Sequence, residues 1–268
     1  MFTKLLKQEW RATRGILGVL CLICLSAALL GGGAMRFLVK VSSDAEEQNL
    51  LVVLCVLTMI ASILAIAVCL VASLFLSIWR FYKSRFTDEG YLTFTLPVTA
   101  HQIVLSSMAN SAIVIVLATF TGIAGYGVLF LLGISGVEGF WPALWEVSPR
   151  LLQLLREALA SIQPGHVILS VLSFLVGFAC ELVILMLAVT TGAVIAKKHK
   201  ILAAIGVYYG INMVLSVVST VSMLTLASGS QSELLTRFLG TSGLLGLAIT
   251  AGGYFLMYYL IDKKLNLN

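Results

Sequence analysis

Six stretches of this chain run apolar for more than 20 residues each, and polar residues cluster between them. They cover about residues 15–35, 50–79, 103–132, 167–195, 201–228 and 239–261. None alternates apolar and polar positions with the period of a strand, so the pattern predicts helices. Roughly 20 apolar residues of helix cross a bilayer's hydrocarbon core, and backbone groups there must be satisfied within helices or closed barrels. The expected fold is therefore an all-α polytopic membrane protein, a single transmembrane domain over residues 1–268 with six spans. The first stretch follows a basic segment, as a signal peptide would. It lacks a clear small-x-small cleavage site, so it reads as a retained span.

The segments between spans carry their own patterns. Residues 1–14, MFTKLLKQEWRATR, put Phe2, Leu5, Leu6 and Trp10 on one helical face, with Lys4, Lys7, Arg11 and Arg14 elsewhere. That favours an interfacial helix lying in the membrane plane before the chain turns inward, over a disordered basic tail. Ser43-Asp-Ala-Glu46, Thr99-Ala-His-Gln102 and Ser230-Gln-Ser-Glu233 match the capping-box spacing, in which a hydroxyl and a carboxylate or amide satisfy orphan amides reciprocally. They predict helix starts at span 2, at span 3 and at a short external helix of about 231–238. Ser148-Pro149 predicts a second interfacial helix, on the outer side, a capping residue followed by proline in the first turn, running to about Ile162. Leu151, Leu152, Leu154, Leu155 and Leu159 give it an apolar face. Trp141 and Trp145 before it suit an aromatic belt.

Composition agrees with the pattern. The chain is 60% hydrophobic and 11% charged, with a mean hydropathy of +1.05. Soluble domains carry about 25% charged residues. The net charge of +5 calls for no nucleic-acid partner, because the basic residues are topogenic. Twelve of the 17 lie at the N-terminus, after span 2, between spans 4 and 5, or after span 6. By the positive-inside rule both termini are expected in the cytoplasm.

Candidate chemistry is sparse. There is no G-x-x-x-x-G-K-[ST] phosphate loop, no H-E-x-x-H, no Cys/His metal cluster and no G-x-S-x-G elbow. His101, His166 and His199 sit near span ends and read as polar boundary residues. The five cysteines lie inside apolar runs, and Cys21-x-x-Cys24 reads as packing, since no adjacent basic group lowers a thiol pKa. Glu181 is the acid deep in a span, where a charge costs about 2.5–3.5 kcal/mol. It reads either as a functional group facing a substrate path or as a structural group, neutral or hydrogen-bonded to a Ser or Thr on a neighbouring helix. Gly206-x-x-x-Gly210 and the Gly122, Gly125, Gly127 cluster offer close helix approach.

The loop between spans 2 and 3, RFYKSRFTDEGYLTFTLPVTAHQ, is basic at its start, acidic at Asp88 and Glu89 and turn-forming at Gly90 and Pro97. Tyr91, Leu92, Phe94 and Leu96 are too apolar for a free loop and call for a partner surface. DEGYLTFTLPVTAHQIVLS resembles the first cytoplasmic loop of permease subunits of type-2 ATP-binding-cassette exporters, particularly small ones from Gram-positive bacteria. MFTKLLKQEWRATR resembles their N-terminal interfacial helix. The resemblance extends over the whole chain in layout and over about 35 residues in motif. It implies that the loop forms a coupling helix seated in a separate ATPase subunit, with Phe86, Asp88, Glu89, Gly90 and Tyr91 as coupling residues. Leu6, Trp10, Arg11 and Arg14 of the interfacial helix would border that ATPase. It further implies a second permease subunit, identical or paralogous, and ATP with Mg on the ATPase, this chain binding no cofactor. The alternatives are a non-transporting immunity or sensor subunit, or an intramembrane enzyme. The cargo suggested by an apolar path is lipid-like, drug-like or an amphipathic peptide.

Overall fold

A computed structural model describes residues 2–41, 49–87, 99–137, 139–161, 164–196, 199–226 and 231–264. Among these residues there are seven α-helices and no strand. They are α1 (Phe2–Val41), α2 (Asn49–Phe86), α3 (Ala100–Ile134), α4 (Phe140–Ser161), α5 (Pro164–Ile195), α6 (Lys200–Leu226) and α7 (Gln231–Lys264). All but α4 are long and apolar enough to cross a membrane. The chain is thus an all-helical multi-pass membrane protein by helix length and composition.

Three boundaries differ from the sequence expectation. Residues 1–14 and the first span were expected as separate helices; α1 instead runs unbroken for 40 residues. One buried stripe explains this. Glu9, Thr13, Leu17, Cys24, Ala27 and Ala28 are all buried at helical spacing, so the same face packs on both sides of the expected turn. The short helix of 231–238 is likewise continuous with span 6 in α7. The third difference is α4, which starts at Phe140, so Pro149 lies inside the helix and not in its first turn. Gly139, at φ +76°, takes the left-handed turn, and its carbonyl accepts from Ala143 N at 3.0 Å to open α4. The capping pattern at Ser43–Glu46 lies outside the described residues, as do Ser230 and the side chain of Glu233.

The described chain forms two compact units. One comprises Lys7–Ser77 and Asn110–Leu159. In it α1, α2 and α3 pack through Cys24, Ala28, Ile66, Cys69 and Leu129, and through Leu17, Leu76, Val114 and Ala118. Gly31 lets α1 approach α2 closely, since a Cβ there would sit 2.6 Å from Ser62 Cβ. The other unit comprises Met1–Leu6, Ile78–Ala109 and Ala160–Asn268. Its core joins Phe81 of α2, Val104 of α3, Met186, Leu187 and Val189 of α5, and Met257, Leu260 and Ile261 of α7. α6 lies along α5, where Gly192 meets the backbone of Ala204.

Several buried hydroxyls along these seams bond back to their own helices. Ser73 donates to the Leu70 carbonyl at 2.6 Å, Ser77 to the Ser73 carbonyl at 3.2 Å, and Thr190 to the Met186 carbonyl at 2.8 Å. A small side chain that bonds back to its own helix gives close approach with no unsatisfied hydroxyl in a medium without water.

Candidate functional site

The expected coupling residues Asp88, Glu89, Gly90 and Tyr91 lie outside the described residues, which resume at Thr99. The two flanks of that loop are described, and both are fastened within one unit. On the α2 side, Arg85 is only 2% exposed. Its guanidinium donates to the Ile103 carbonyl at 2.9 Å, to Ser107 Oγ, and to the Ser84 carbonyl at 3.4 Å. Arg85, counted in the sequence among the topogenic charges, has its side chain buried against α3. A guanidinium is suited to this because it presents donors in a rigid fork and never deprotonates. Ser106 and Ser107 lie at the matching turn of α3 and are small enough to admit it.

Phe86 is half-buried in the same core, edge-on to Phe81 (6.1 Å between centroids) and stacked on Tyr82 at 5.8 Å. Of the expected coupling residues it is the one described, and it packs inward. Thr87 Oγ1 donates to the Lys83 carbonyl at 2.5 Å, ending the helix. Lys83 lies over the Trp79 ring at 5.2 Å.

On the α3 side, Thr99 acts as the cap that the sequence predicts. Its carbonyl accepts from Gln102 N at 3.0 Å and from Ile103 N at 3.2 Å, and its hydroxyl accepts from Gln102 N at 3.4 Å. His101, in the first turn of α3, stacks on Tyr258 of α7 with centroids 4.1 Å apart and planes 8° off parallel. Its Nδ1 lies 2.9 Å from Tyr254 Oη. Tyr254 and Tyr258 are four residues apart and share a face of α7. His101 thus joins two helices, where the sequence suggested only a boundary residue. The signal available was the pairing of a polar start to α3 with that tyrosine repeat.

The interfacial-helix candidates fall on α1. Trp10 packs against the cluster of Leu17, Leu76, Val114 and Ala118, while Arg11 and Arg14 are exposed and Leu6 is half-buried. Thr13, fully buried, lies 3.3 Å from Asn110 Oδ1 on α3. Cys21 and Cys24 are free thiols in the packed interior of the same unit. Cys21 Sγ is 3.4 Å from Thr121 Oγ1, beside a cavity of about 10 Å³ lined by Leu17, Cys24, Cys69 and Ser73. This is packing, as the sequence suggests.

Glu181 sits midway along α5 with its side chain exposed on the chain's surface. Tyr208 of α6 donates its hydroxyl to Glu181 Oε1 at 2.5 Å, so the partner is a tyrosine and not the expected Ser or Thr. Asn212 Nδ2 bonds the Tyr208 carbonyl at 3.1 Å, one turn on. Of the glycines singled out in the sequence, Gly122 faces Leu70 and Gly125 faces Cys24, whereas Gly127, Gly206 and Gly210 meet nothing within 4 Å among the described residues.

No protein family, curated protein or solved structure matches this chain.

Proposed function

We propose that this chain is the membrane-spanning permease subunit of an ATP-driven exporter of the type-2 ATP-binding-cassette class, powered by a separate ATPase subunit. The loop motif DEGYLTFTLPVTAHQ carries the resemblance. The observation that supports a mechanical role for that loop is the fastening of its two flanks, Arg85 onto α3 and His101 onto α7. A loop tied in this way passes displacement to several helices at once and not to α2 alone. ATP binding and hydrolysis on the partner would push the loop through Asp88, Glu89, Gly90 and Tyr91. The helices would then switch between two arrangements of an inward-facing and an outward-facing path. ATP and Mg belong to the partner, which fits the missing phosphate loop here. Two permease subunits, identical or paralogous, would enclose the path in a plasma membrane, both termini cytoplasmic. The cargo best suited to an apolar path is a peptide, drug-like or lipid-like molecule.

The test is co-purification with a separately encoded ATP-binding-cassette ATPase from the same genome, followed by ATP-driven flux in vesicles. Glu89→Lys should abolish association and transport while leaving the chain's abundance unchanged. Normal assembly and flux in that variant would overturn the reading. Assembly without any flux would favour the non-transporting subunit.

A further inference from the structure

The helix α4 is the one described helix that is not a candidate span, and its face points to a different use of the membrane. At 100° per residue, Trp141, Leu144, Trp145, Leu151, Leu152 and Leu155 fall within about one third of its circumference. Glu146, Arg150, Gln153 and Glu157 fall on the opposite side. The apolar face is bare: Trp145 is 76% exposed and Leu152 65%. The chain allows α4 little travel. Five residues separate it from the end of α3 at Ile134, and two separate it from Pro164 at the start of α5. Even fully extended, the longer connection reaches only about 18 Å. Both neighbours are candidate membrane spans, so α4 is held at the bilayer surface where they emerge.

We propose that α4 lies in the membrane plane with Trp141, Trp145 and the leucine face seated in the lipid interface, and that Ser148 makes this possible. Pro149 has no N–H, so the Trp145 carbonyl loses the donor that a continuing helix would supply. Ser148 Oγ donates to that carbonyl at 3.1 Å. Ser148 falls in the middle of the apolar face, so one bond satisfies both the freed carbonyl and the hydroxyl that would otherwise meet hydrocarbon. Amphipathic helices of this kind seat their apolar face about 5–10 Å below the headgroup level, where tryptophan is favoured. The proposal needs only membrane residence and does not depend on an ATPase partner.

The test uses the full chain, without any ATPase, in phosphatidylcholine vesicles doped with lipids brominated at defined acyl positions. The chain's four tryptophans are Trp10, Trp79, Trp141 and Trp145, so Trp10→Phe with Trp79→Phe leaves only the pair on α4. Expected are blue-shifted emission and quenching that is strongest with bromine near the headgroups and weaker at the chain ends. Ser148→Ala in that background should reduce the quenching and shift emission to the red. If the double variant fails to fold, Trp141→Phe with Trp145→Phe is compared with the native chain. Loss of the shallow-bromine quenching component then gives the same support. Blue emission that no brominated lipid quenches would mean that protein, a second copy or another chain, covers the face, and would overturn the proposal. Red, unquenched emission would overturn it in favour of water. Unchanged quenching in Ser148→Ala would remove Ser148 from it.

Discussion

The guanidinium of Arg85, in the last turn of α2, donates to the carbonyl of Ile103, in the first turn of α3, at 2.9 Å and almost out of reach of solvent. It closes the base of the loop between these helices, and Ser107 Oγ accepts a second bond. Hydrogen bonds to charged groups contribute about 1.5–3 kcal/mol. Arg85→Ala removes these bonds and also leaves a cavity, so about 2–4 kcal/mol of stability should be lost. Arg85→Lys keeps the charge but not the fork and should recover part of it. Thermal unfolding in nanodiscs measures both. A melting temperature unchanged in Arg85→Ala would show that the side chain does not hold the loop base.

His101 supplies the second fastening, and its effect should be local. Aromatic stacking is worth about 0.5–1.5 kcal/mol beyond buried area, so His101→Ala should lower stability by about that much. Amide exchange should rise in the first turns of α3 and around Tyr254 and Tyr258, with little change in α1. A double-mutant cycle of His101→Ala with Tyr254→Phe should show coupling, because Nδ1 and the tyrosine hydroxyl are 2.9 Å apart. Additive effects would reduce the contact to coincidence.

The spans were legible in the sequence because lipid imposes one demand, a long apolar helix, and 60% hydrophobic composition cannot meet it by accident. The helix ends were less legible. α1 continues through the expected turn because its buried stripe runs from Glu9 to Ala28, a packing property that depends on α2 and α3. Ser148-Pro149 read as a helix start because that pair often is one. Here the serine repairs the proline's missing bond inside a helix that Gly139 opened earlier. Arg85 was hidden for a similar reason: a basic residue after a span is usually solvated, and only its neighbours on α3 decide otherwise. Most of the motif that suggests the function, residues 88–98, lies outside the described residues, so the site is known from its flanks.

Glu181 and Tyr208 separate the two readings of the intramembrane acid. Inter-helix side-chain bonds in membrane proteins average about 0.6 kcal/mol and reach about 1.7 kcal/mol. Tyr208→Phe should therefore cost about 0.6–1.7 kcal/mol in unfolding. Glu181→Gln retains an acceptor for the tyrosine and should cost less. If the acid is structural, Glu181→Gln should keep normal abundance and, under the permease function proposed above, normal ATP-driven flux. A loss of flux at unchanged abundance would assign the carboxylate to the transport path.

Glycines of the same kind should behave oppositely on the two faces of α6. Gly192 of α5 packs where a Cβ would lie 2.5 Å from Ala204 N and 2.6 Å from its Cα, so the obstacle is backbone and cannot swing aside. Gly192→Ala must push α6 away from α5, and overpacking of this kind costs about 1–3 kcal/mol. Gly206, on α6 itself, meets nothing within 4 Å among the described residues. Gly206→Ala adds helix propensity with no clash, and should be neutral or stabilising by up to about 1 kcal/mol. Melting temperatures of the two variants in the same nanodiscs make the comparison. A Gly206→Ala variant that unfolds normally as an isolated chain but fails to assemble would show that another helix approaches α6 there, a contact that the Gly206-x-x-x-Gly210 spacing permits and the described residues of this chain do not fill.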